Sequence, residues 1–182
     1  EELEAAEVNL RALAGGISGA DGLVAGQTLK VRSTDRVDLR TDIEQLQVDN
    51  SGEVLVRIID DGGADKLVNL AQIDVGAGAF VFIANAPVAA RSVDGALIAI
   101  GSFDDLELGT LNASSSVQLN SYGAIRDIAG MTSAVSAPTA TVQSSFDFLS
   151  SVKGWEIGEI GLTPNLSVVI DKDYTFPTSG PL

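Results

Sequence analysis

The sequence predicts an all-β fold, and within that class a solenoid of stacked short strands. Three observations carry the prediction. Apolar residues recur with period two almost throughout, the strands they mark are short, and the same layout returns several times along the chain. Helical spacing at i, i+3 and i+4 is not sustained anywhere beyond the first residues. An antiparallel β-sandwich is the alternative architecture. It favours longer strands joined by Asn-Gly or Asp-Gly hairpins, and such pairs are scarce here: Asp21-Gly22, Asp61-Gly62 and Asp94-Gly95.

The elements follow in order. Glu1 to Glu7 (EELEAAE) has a helical flavour but is too short to stand alone, so residues 1–7 are expected to form an N-terminal cap or arm. From Val8 to Gly130 the pattern is that of coils. Leu29 and Val31 alternate with Lys30 and Arg32; Val37 and Leu39 alternate with Asp38 and Arg40; Val54, Val56 and Ile58 alternate with Leu55, Arg57 and Ile59. Phe80 and Phe82, Ile98 and Ile100, Leu106 and Leu108, and Val117 and Leu119 continue the series. Gly, Asp, Asn or Ser ends each run, as strand–corner–strand construction requires. Residues 131–145 are rich in Ser, Thr and Ala and are expected to be irregular or a linker. Residues 146–182 regain alternation at Leu166, Val168 and Ile170, then end in a Pro-bearing arm with Pro177 and Pro181.

Internal similarity favours the solenoid. Asp38–Ile58, Lys66–Ile83 and Asp105–Ser121 each open with a charged residue and Leu, followed by an aliphatic strand, a small corner and a second alternating strand. Leu10–Leu23 and Leu149–Leu162 form a second, weaker echo.

The segment Asp94–Gly130 (DGALIAIGSFDDLELGTLNASSSVQLNSYGAIRDIAG) resembles the repeat units of large secreted adhesins of the filamentous-haemagglutinin kind. Leu106, Leu108, Leu111, Val117, Leu119 and Ile125 stand where such units have inward aliphatics, and Gly109 and Gly123 stand at their corners. Glu7–Leu46 resembles the longer repeats of giant bacterial surface proteins. The resemblance implies a right-handed parallel β-helix in an exported, extended bacterial protein, secreted or at the cell surface.

Composition narrows the chemistry. The chain has 182 residues, with 25 acidic and 11 basic side chains, a net charge of −14, and neither His nor Cys. Ser-His-Asp and Cys-His nucleophile pairs, thiolate metal sites and disulfides are therefore outside its repertoire. So acidic a chain without a basic cluster is not expected to bind nucleic acid. Membrane insertion is not expected either, because a spanning helix needs about 18 consecutive apolar residues. The stretch Val75–Ala90 is interrupted by Asn85 and Pro87. The chain opens at Glu1, as a processed product or an excised piece would.

Site candidates are few. Asp60, Asp61 and Asp65 flank Gly62 and Gly63, which offers oxygen ligands on a tight turn of the sort calcium uses. The order matches neither an EF-hand nor a glycine-rich nonapeptide, and a solvated acidic loop is the simpler reading. Asp105 and Glu107, with Asp104 nearby, place two carboxylates on one strand face, a pairing used in sugar hydrolysis. Arg32, Arg36, Arg40 and Arg57 alternate with Asp35, Asp38 and Asp42, either as one outer groove or as a ladder of opposite charges between neighbouring strands. Phe103, Tyr122 and Trp155 are candidates for stacking on sugars. Asn112 and Asn165 open glycosylation sequons. The glycines of Ala14–Gly22 lack the Lys-Ser/Thr of a phosphate loop.

The function expected from this reading is a structural or adhesive module of an extracellular surface protein or fibre, assembling end to end. Its partners would be copies of itself or neighbouring repeats, with surface glycans as a further class. No catalysis and no cofactor beyond the calcium candidate are expected. A carbohydrate-binding or polysaccharide-degrading β-helix is one alternative, and a pilus-like subunit joined by strand donation is another.

Overall fold

The computed structural model of the chain describes residues 2–58, 66–145, 156–157 and 165–170, with side chains over 5–19, 21–58 and 66–145. Thirteen strands fill these residues. They are β1 (Glu2–Arg11), β2 (Ile17–Ser33), β3 (Val37–Asn50), β4 (Val54–Ile58), β5 (Val68–Asp74), β6 (Ala79–Ala84) and β7 (Val88–Ser102). There follow β8 (Leu106–Ser121), β9 (Ile125–Asp127), β10 (Ala134–Ala137), β11 (Thr139–Ser144), β12 (Glu156–Ile157) and β13 (Asn165–Ile170). Every pairing among them is parallel. The stacked coils form a β-solenoid of about seven turns, and an antiparallel sandwich is thereby set aside.

Two stacks of strands run along the solenoid. In the first, Val37 of β3 pairs with Val54 of β4, Val54 with Phe80 of β6, Phe80 with Ile98 of β7, and Ile98 with Val117 of β8. Ala140 of β11 and Leu166 of β13 continue that row. In the second stack, Leu29, Leu46, Leu70, Ala90 and Leu108 are matched turn by turn, as are Val31, Val48, Ile73, Val93 and Leu111. Apart from Leu166, whose side chain lies outside the described ones, these residues are buried and belong to one hydrophobic cluster. Alternation explains the arrangement. Along β3 every second residue from Val37 to Ile43 is buried, the rhythm breaks at Glu44 and Gln45, and it resumes at Leu46. The break is where the coil turns a corner. β-branched and compact side chains stack here because each meets a near-copy of itself in the next turn, about 4.8 Å away.

The corners are closed by buried polar side chains. The Ser102 hydroxyl donates to the Ala86 carbonyl at 2.8 Å, Ser121 to Asp104 at 2.7 Å, and Ser144 to Gly123 at 2.9 Å. Each acceptor lies two residues past the matching corner position of the preceding turn. At another corner Asn50 donates to the carbonyls of Asp35 and Gly52, and Ser33 to that of Gly15. Close approach of turns requires glycine at several corners, Gly78 and Gly109 among them. A Cβ on Gly78 would stand 2.1 Å from the Gly52 carbonyl oxygen, and one on Gly109 would stand 2.4 Å from that of Arg91.

Three expectations need correction. Residues 2–7 are not a helix or free arm but part of strand β1, paired with β2 from Glu2↔Leu23 to Arg11↔Arg32. A preformed parallel edge supplies hydrogen bonds that a one- or two-turn helix cannot match. Residues 131–145 are not irregular throughout, since β10 and β11 pair with β8 on either side of Pro138. Finally, the three repeats recognised by layout are out of phase with the coils. Val68, Val88 and Leu106 share a row, which offsets the Lys66 and Asp105 openings by one residue. Leu39 lies in the other stack, paired with Val56. Turn length varies between 17 residues (Val37 to Val54) and 26 (Val54 to Phe80), and a period-two pattern matches itself at every even shift.

Candidate functional site

The charged candidates separate onto different sides of the coil. Asp38, outward on β3, receives Arg57 from the next turn and Arg36 at 3.6 Å. Arg36 also approaches Glu53 at 4.0 Å. Asp42 pairs with Lys66 at 3.3 Å, which reaches Glu44 as well. Arg32 belongs to the second stack, where it meets Asp49 of the adjacent turn at 3.1 Å. Asp35 accepts the Arg36 amide and so ends a corner. Arg40 sits in register beside Arg57, with its Nε buried and without a hydrogen bond. The cations and acids therefore form cross-turn ladders, and the structure does not gather them in one groove. Exposed pairs of this kind contribute little each, about 0.2–1 kcal/mol.

The second acidic group is brought together, with an addition the sequence reading missed. Arg126 of β9 pairs with Asp105 and approaches Glu107 at 3.9 Å. Asp105 also accepts the Ala124 amide at 2.7 Å, and Asp104 accepts that of Asp105. One carboxylate is thus spent on the corner and on Arg126. At the first turn, the Glu7 carboxyl is held below the usual glutamate range, first by the Asn9 amide and then by Lys30 at 2.9 Å.

An unforeseen row of like charges runs along the second stack. Asp49, Asp74 and Asp94 are matched in register on three successive turns. Arg32 pairs with Asp49 at one end, and Asn112 donates to Asp94 at 2.8 Å at the other. Asp74 accepts the Gly76 amide. Asn112, the first sequon residue, is exposed but engaged in this bond. Asp60, Asp61 and Asp65, the calcium candidates, lie outside the described residues, as do Trp155 and most of the Leu149–Leu162 echo.

A groove of about 480 Å³ lies on the outer side of the first stack, spanning β6, β7, β8 and β11. Val81, Ile83, Ala99 and Gly101 line its floor, and Phe103 and Tyr122 form a wall. The two rings are stacked, with centroids 4.9 Å apart and planes within 4°. Their positions follow from the ladder. Ser102 and Ser121 are register partners, so the residue after each occupies the same outward place on successive turns. Both rings remain more than half exposed, at 58% and 60%. Asn120 and Gln143, themselves in register, stand at the far end of the groove. The signal for this site is present in AFVFIA (Ala79–Ala84) and LIAIG (Leu97–Gly101), strands apolar on both faces. Phe103 and Tyr122 were singled out from the sequence, but their pairing depends on turn length.

Compared with known proteins, the chain matches no family model, no curated protein and no solved structure.

Proposed function

We propose that the chain is a structural and adhesive module, a β-solenoid segment of an exported bacterial surface protein or fibre that assembles end to end. The observation carrying this reading is the translational repetition of the fold. Each turn offers the next a row of backbone hydrogen-bonding groups and a layer of aliphatics, and what fits one turn on its neighbour also fits a turn of another copy. The outer edge of β1 pairs with no strand among the described residues. The acidic coat fits the same reading, since charge opposes side-to-side contact between such rods.

Seven turns at about 4.8 Å give a rod on the order of 35 Å per chain. Light scattering and negative-stain imaging over a concentration series should show elongated particles that lengthen as concentration rises. Compact monomers at every concentration would count against assembly.

A further inference from the structure

We propose that the groove beside Phe103 and Tyr122 binds a neutral oligosaccharide, lying along the solenoid axis. The proposal names the ligand class of the adhesive reading above and takes its biological setting from it. Three features of the groove select the ligand. The floor is apolar and exposed, Ile83 at 43%, on strands whose two-sided apolar pattern is that of a sheet covered on both faces. The occupant must therefore present carbon-bound hydrogen to Val81, Ile83 and Ala99.

Secondly, no charged side chain lines the groove among the described residues, in a chain of net charge −14. A polyanion would meet repulsion there with no counter-charge, and a polycation would find its partners on the acidic rows elsewhere. Thirdly, the polar groups at the groove's end are unspent. The amides of Asn120 and Gln143 and the Tyr122 hydroxyl make no side-chain hydrogen bond to the rest of the described protein.

A pyranose combines these properties in one molecule, with an apolar ring face and neutral hydroxyls around its rim. Asn120 and Gln143 repeat from one turn to the next, so a linear chain of sugar residues meets the same donor–acceptor group more than once. Ser145 follows Ser144, the register partner of Ser121, so a small side chain takes the place after Tyr122 in the outward row, and a sugar ring can stack on the exposed aromatic pair. A volume near 480 Å³ is of the size that holds a small ligand.

The test is an array of neutral hexasaccharides (β-1,4-glucan, β-1,3-glucan, α-1,4-glucan, chitin and galactan), with a sulfated hexasaccharide as control. Calorimetry on the full chain then follows for any that bind. At least one neutral hexamer should bind. Phe103→Ala and Tyr122→Ala should each weaken it about tenfold or more, and Arg32→Ala, in the second stack, should leave it unchanged. Asn120→Ala removes an exposed side chain without a protein hydrogen bond, so it keeps the fold and should also weaken binding. Circular dichroism melts verify folding of each variant. The proposal is overturned if no neutral hexamer binds, if the sulfated hexamer binds as well as the best neutral one, or if binding survives all three groove substitutions. It is equally overturned if the groove proves to be a contact between copies, seen as a dimer that Ile83→Asp dissociates without any sugar affinity. These failures leave the end-to-end reading untouched, because rod growth is read by imaging and does not use this face.

Discussion

Ser102, Ser121 and Ser144 show what a buried polar residue does in a stacked coil. Each hydroxyl donates to a backbone carbonyl at the corner of the preceding turn and so ties one corner to the next. Ser121→Ala would remove one of two donors to the Asp104 carbonyl, which keeps the Gly123 amide at 3.1 Å. We expect a loss of about 0.5–1.5 kcal/mol, measured by denaturant unfolding, and an unchanged stability would show that the hydroxyl is dispensable. The stacked aspartates act in the opposite direction. Asp74 lies between Asp49 and Asp94, and like charges in directly opposed positions destabilise a sheet. Asp74→Asn keeps the oxygen that accepts the Gly76 amide while removing the charge. It should raise stability by about 0.2–1 kcal/mol and flatten the dependence of melting temperature on salt. A variant less stable than the parent at low salt would contradict this.

At the level of elements, strand β6 shows why alternation was readable and its consequence was not. Phe80 and Phe82 point inward and are fully buried, while Val81 and Ile83 point outward to the groove floor. Phe82→Ala should cost about 3–5 kcal/mol through lost burial and a cavity. Ile83→Ala, one residue along the same strand, should cost roughly 1 kcal/mol or less. Thermal melts of the pair test the facing directly, and comparable losses would mean that the strand is covered on both sides. Period two in AFVFIA announces a strand. It cannot say which of two apolar faces is inside, because burial is set by the neighbouring turns. β1 teaches a related lesson. EELEAAE is built of good helix formers, but the nine register pairs of β1 with β2 outweigh a preference worth tenths of a kcal/mol per residue. β10 and β11 were hidden for a similar reason. Ser, Thr and Ala look like linker composition, yet between β8 on one side and β12 and β13 on the other they suffice, with Val135 and Val142 supplying the buried contacts.

For the molecule as a whole, charge, hydrogen bonding and shape point the same way. The acids lie at corners and on outward alternate positions, several of them in ladders with Arg or Lys of the next turn. On the proposed end-to-end reading, the unpaired edge of β1 is a surface for growth, and concentration-dependent lengthening is the behaviour that tests it. The amino-acid sequence by itself determined that the chain is all-β and coiled, because side chains alternate strictly on a strand and short aliphatic runs ended by Gly, Asp, Asn or Ser leave little else for the backbone to do. It also determined, by omitting His and Cys, much of the chemistry the protein does not attempt. Only the tertiary structure decided the phase of the turns, the phase that sets Phe103 against Tyr122, Arg126 against Asp105, and three aspartates in one row. The reason is geometric. Residues some 17 to 26 positions apart become neighbours only when the lengths of the intervening corners are known, and a pattern that repeats every two residues carries no information about those lengths.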